Sequence, residues 1–111
     1  WMHEGLAQYE QNKVQPVNTD VFKAAVRSRG LIPINQLLSE NLELDKMNPL
    51  RVALFYQQSF MLVSYMIERY QMYRMKEMLG KFKEGKPAEQ VIGEALSVSP
   101  AQLEKEWLAT L

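Results

Sequence analysis

N-P-L-R-V-A-L-F-Y-Q-Q-S-F-M-L-V-S-Y-M-I-E-R, Asn48 to Arg69, is the stretch on which the fold turns. Asn48 can cap a helix with its side-chain oxygen, and Pro49 suits the first helical position, where its missing N–H would be unpaired anyway. From Ala53 to Ile67 apolar residues fall on most sides of that helix, so it must touch several neighbours at once. The run Val52 to Ile67 lies between Arg51 and Glu68 and carries Gln57, Gln58, Ser59 and Ser64. That is too short and too polar for a membrane span, so the segment is read as a buried core helix, with no membrane insertion.

Working outward, punctuation yields further helices and no strand pairs. Met2 to about Gln11 has Leu6 and Tyr9 at helical spacing, and Pro16 in the turn-rich Asn12–Asn18 closes it. A second helix starts near Asn18 or Thr19, either one a cap, with Val21, Phe22, Ala25 and Val26 on its apolar face. Gly30 is expected as the left-handed residue beyond its end. Leu31–Ile34 reads as a brief extended link, followed by a short helix over Asn35–Ser39. After the central helix, Gln71–Lys83 places Met72, Met75, Met78, Leu79 and Phe82 on one face, and Gly85 with Pro87 ends it. Pro87–Leu96 is a short helix through Val91, Ile92 and Ala95. Ser99-Pro100-Ala101-Gln102 has the form of a capping box and opens a helix to the end, with Leu103, Trp107, Leu108 and Leu111 as its core stripe. The expectation is one all-α domain over residues 1–111, an irregular bundle of about five to seven helices.

Composition bounds the function. A chain of 111 residues has the size of one domain and should bury roughly 65% of its unfolded surface. Thirteen basic and 13 acidic residues balance, which leaves no electrostatic footprint for nucleic acid. The basic tract Arg74–Lys86 reads as the solvated side of an amphipathic helix. Absence of cysteine removes disulfides, thiolate metal sites and Cys nucleophiles, and leaves the compartment open. No phosphate loop, nucleophile elbow or carboxylate dyad is present.

Read by itself, Glu4 is a solvated or capping acid, and His3 a surface or packed imidazole. A metal site built from side chains needs at least three donors. His3 is the only histidine, and its neighbour Glu4 points about 100° away around a helix. The chain therefore cannot build a competent zinc site alone. By itself Tyr56 reads as a core tyrosine whose hydroxyl bonds a backbone carbonyl.

W-M-H-E-G-L-A-Q-Y, Trp1 to Tyr9, resembles the W-x-x-E-G-x-A-x-Y segment of gluzincin metallopeptidases, in the broad peptidase MA group. In that group one helix bearing H-E-x-x-H gives two histidine ligands and the general-base glutamate, and a second helix gives a third ligand. The resemblance makes Glu4 that zinc ligand, with Gly5 and Ala7 small enough for close helix approach. F-Y-Q-Q-S-F, Phe55 to Phe60, is similar to the Y-x-x-[GS] stretch of the same group. The resemblance there implies a catalytic role for Tyr56, whose hydroxyl would stabilise the oxyanion, with Ser59 as the small residue one turn on. Leu62–Tyr70 and Ala95–Trp107 look like the helical tail of these proteins, except that Gln71 and Ser97 stand where glycines are frequent. No H-E-x-x-H occurs, since position 7 is alanine rather than histidine.

Two functions are expected from this. The first is the C-terminal helical part of a gluzincin-type zinc metallopeptidase truncated before Trp1. Its parent would hold zinc and hydrolyse a peptide or protein substrate, while the fragment, lacking the N-terminal catalytic segment, would be inactive, hold no stoichiometric zinc, and could self-associate through uncovered apolar surface. The alternative is a non-enzymatic interaction module using a Met/Tyr-rich surface of Met66, Met72, Met75 and Met78 with Tyr65, Tyr70 and Tyr73.

Overall fold

A computed structural model describes residues 1–39 and 43–111. Every regular element among them is helical, as the punctuation requires. The helices are α1 (Met2–Asn12), α2 (Asp20–Ser28), α3 (Ile34–Leu37), α4 (Pro49–Tyr70), α5 (Met72–Lys83), α6 (Ala88–Leu96) and α7 (Pro100–Leu108), with a 3₁₀ turn at Leu44–Lys46. Contacts divide the chain into two units, Trp1–Ser64 and Tyr65–Leu111.

In the first unit, α4 begins where its cap dictates: Asn48 Oδ1 accepts the Arg51 N–H at 2.8 Å. Leu54, Phe55, Phe60, Leu62 and Val63 of α4 are buried, as are Phe22 and Ala25 of α2, and Ile32, Ile34, Leu37 and Leu38 around α3. The N-terminus of α2 is capped twice. Asn18 Oδ1 accepts from Asp20 N at 2.8 Å, and Gln57 Oε1 reaches over from α4 to accept from Phe22 N at 2.9 Å. At the other end the expected glycine is displaced by one. Arg29 takes the left-handed conformation (φ 57°), and the N–H of Gly30 returns to Ala25 O at 2.8 Å. Both Schellman hydrogen bonds then form with arginine in the position usually given to glycine.

Residues 30–33 link α2 to α3, and Ile34, expected in the link, is instead the first residue of α3, which ends at Leu37 rather than Ser39. The central residue of the link is held by one side chain, because Gln58 accepts from Ile32 N at 2.9 Å and donates to Ile32 O at 2.7 Å. The amide thus satisfies both backbone groups of a residue that is 2% exposed and belongs to no helix.

In the second unit, α5 packs on α6 and α6 on α7. The core side chains are Met75 and Met78 of α5, Val91, Ile92, Ala95 and Leu96 of α6, and Leu103 and Trp107 of α7. Three turns carry positive φ: Gly85 (82°), Gln71 (79°) and Ser97 (61°). Gln71 and Ser97 are the two positions at which the resemblance implied a glycine, and both take the positive φ that glycine adopts most readily. Ser99 caps α7 by accepting from Gln102 N at 3.0 Å. The Gln102 side chain turns forward to Glu106 at 3.0 Å, so one half of the expected box forms. The last helix also stops at Leu108, which leaves Leu108 and Leu111 exposed rather than in the core. No helix of the described residues is long and apolar enough to cross a membrane.

Candidate functional site

The first turn of α1 positions Glu4. Trp1 O accepts from Gly5 N at 2.8 Å, and the Trp1 nitrogen donates back to Glu4 Oε1 at 2.6 Å. This reach from the third helical residue back to the nitrogen of the cap residue has the form of half a capping box. Glu4 is half-buried, and burial alone would raise its pKa. The hydrogen bond and positive charge of the amino group outweigh that effect and hold the carboxyl below the usual range. His3 beside Glu4 is exposed.

Gly5 is buried against α4 more closely than any side chain would allow. A Cβ built on it lies 2.5 Å from the Ser59 carbonyl oxygen and 2.9 Å from Val63 Cβ, and overlaps Val63 Cγ2. Small size at Gly5 is what lets the two helices touch. Ala7, also expected to serve that approach, is exposed instead, while Leu6 and Tyr9 are half-buried. Ser59 is fully buried, with its Oγ unpartnered.

Tyr56 lies three residues before Ser59, which is one turn, about 4.5 Å along the axis of α4. It is 37% exposed, and its ring meets Phe55 edge-on at 5.5 Å between centroids. The hydroxyl has no hydrogen-bond partner among the described residues, so the expectation of a core tyrosine tied to a carbonyl does not hold. Glu4 and Tyr56 thus stand on two helices that pack together at Gly5 and Ser59, with no hydrogen bond joining them.

Sequence reading missed Gln57 and Gln58. They register there only as polarity inside an apolar helix, yet they cap α2 and hold the link. Two glutamines at the most apolar part of a chain are a usable signal, since a buried amide needs partners.

Among the described residues no group of three or more His, Cys, Asp or Glu is placed to hold a metal ion. Glu4 offers one half-buried carboxylate, and any other donors would have to come from elsewhere. The described residues thus present one half-buried carboxylate and one exposed phenol on two packed helices of an all-helical fold. The family comparison is specific: the peptidase MA superfamily profile matches residues 1–111, and the chain belongs to that superfamily. No curated protein and no solved structure matches it.

Met66, Met75 and Met78 are fully buried, so these methionines of the alternative reading are core rather than surface. In the second unit, Glu94 accepts from Lys81 (2.9 Å), Lys86 (2.9 Å) and Gln90 (2.6 Å). Those hydrogen bonds hold its carboxyl at about 2.

Proposed function

We propose that this chain is the helical portion of a zinc-dependent metallopeptidase, with Glu4 as one zinc ligand and Tyr56 as the oxyanion donor. The remaining ligands and general base would lie on an H-E-x-x-H helix outside residues 1–111. The observation that carries the reading is the superfamily match over the whole chain, taken with the glycine-mediated contact of α1 and α4. That contact accounts for the Gly after Glu4.

When bound, zinc supplies the Lewis acidity for water to attack a peptide carbonyl. The protein's own part is electrostatic. Glu4 would contribute a carboxylate donor from the first turn of α1. The Tyr56 hydroxyl is spent on no other group among the described residues and can donate to oxygen as negative charge develops. By itself the 111-residue chain is expected to have no peptidase activity.

The test is to express the chain with its upstream sequence and measure peptide hydrolysis with and without a chelator. Tyr56→Phe should lower kcat about 10²- to 10³-fold with KM little changed, the usual effect of deleting an oxyanion donor. Chelator-insensitive hydrolysis, or a Tyr56→Phe enzyme of normal kcat, would contradict the assignment.

A further inference from the structure

In the first unit a groove of about 270 Å³ opens between α2 and the first turns of α4. Its walls are Val21, Ala24 and Ala25 on one side, with Leu50 and Leu54 on the other. Leu50, in the first turn of α4, is 68% exposed. Among the described residues Arg51 is the one charged side chain lining it. Its Nη1 donates to Gly30 O at 3.3 Å, which anchors the guanidinium beside the groove. No carboxylate among the described residues pairs with it, and a guanidinium has five N–H donors in a planar fork suited to a carboxylate.

We infer that this groove binds the C-terminal residue of a peptide, an aliphatic side chain against Val21, Ala24, Leu50 and Leu54 with its free carboxylate on Arg51. Charge complementarity selects the occupant. A largely apolar wall with one anchored cation that meets no carboxylate among the described residues calls for a ligand that is apolar and singly anionic. Size and connectivity select the chain end. The volume falls just below the range of ordinary ligand pockets, about 300–1,000 Å³, so it holds one residue rather than a passing segment. At a C-terminus, carboxylate and side chain diverge from one Cα, and no onward backbone has to leave. Capture of a terminal carboxylate is a recurrent mode of peptide recognition. The groove lies away from Glu4 in sequence, and the proposal needs no metal, so it stands or falls separately from the catalytic reading.

The experiment titrates the ¹⁵N-labelled 111-residue chain with acetyl-Ala-Ala-Leu bearing a free carboxylate, following amide shifts. Shifts are expected at Ala24, Ser28, Leu50 and Arg51. Binding should weaken at least tenfold for the C-terminal amide of the same peptide, and at least tenfold for the Arg51→Gln protein. Ala24→Phe, an addition at an exposed position, should block binding by filling the groove and leave the charge in place. Acetyl-Leu-Glu-Ala-amide, which carries its carboxylate in mid-chain, should bind no better than the amidated peptide. Equal binding of acid and amide, equal binding of the mid-chain carboxylate, or no binding by a folded wild-type chain would each overturn the inference.

Discussion

Replacing Gly5 by alanine tests the helix contact on which the site depends. The added Cβ would stand 2.5 Å from a backbone carbonyl oxygen of α4 and 2.9 Å from Val63 Cβ. Cβ atoms essentially never approach a neighbour within 3.0 Å, and the nearest oxygen here is a main-chain atom that no rotamer change can move. Overpacking of a tight core costs about 1–3 kcal/mol, and a backbone obstruction belongs at the upper end. Alanine recovers about 1 kcal/mol of helix propensity over glycine, leaving a net loss of about 2 kcal/mol. At roughly 2.1 cal/mol/K of unfolding entropy per residue, that lowers Tm of a chain this size by about 9 °C. Gly80 and Gly93 are the controls, both helical and with nothing within 4 Å of an added Cβ. Gly80→Ala and Gly93→Ala should each raise stability by about 0.5–1 kcal/mol. Urea unfolding of the three variants against wild type decides the matter. If Gly5→Ala is as stabilised as the two controls, α1 does not rest on α4 as described.

Gln58→Leu removes both partners of Ile32 and leaves two buried backbone groups unpaired, each worth about 1–3 kcal/mol, so urea titration should show a loss of about 2–6 kcal/mol. Gln71 holds φ 79° and ψ 156°, a region almost reserved for glycine. Gln71→Gly should relieve about 1–3 kcal/mol of strain against about 0.5–1 kcal/mol of added chain entropy, a net gain of about 1 kcal/mol seen as a higher Tm. Glu94 titrates at about 2 instead of the usual 4.5, so its folded state is favoured above 4.5 and that contribution disappears as pH falls toward about 2. The stability difference between wild type and Glu94→Gln should accordingly shrink across that window, and added salt should shrink it at neutral pH, because the group is exposed.

The helices were legible because their signals are local. Asn48-Pro49 starts α4 where a cap and a proline agree, and Ser99-Pro100 starts α7 in the same way. The errors occur where a local rule competes with a distant partner. Gly30 looks like the left-handed residue, yet Arg29 takes that conformation and Arg51 binds the Gly30 carbonyl. Leu108 and Leu111 continue an apolar spacing that α7 ends too early to use. Gln57 and Gln58 could be seen to be out of place in an apolar helix, but the backbone groups they satisfy lie 35 and 26 residues away. At the candidate site, the need for a small residue at Gly5 followed from the motif. That Tyr56 keeps its hydroxyl free of any partner among the described residues is a tertiary result that no spacing encodes.

Zinc content is the most direct test of the central claim. The protein carrying its natural upstream sequence should be purified as wild type and as Glu4→Gln, checked for folding, and assayed for bound metal and zinc affinity. Loss of an outer-shell partner alone typically costs about 10- to 100-fold in affinity, so loss of a direct ligand should cost at least about 100-fold. The account predicts stoichiometric zinc in the wild type and that scale of weakening in Glu4→Gln. A wild type without zinc, or a folded Glu4→Gln protein that holds it as tightly, would contradict it.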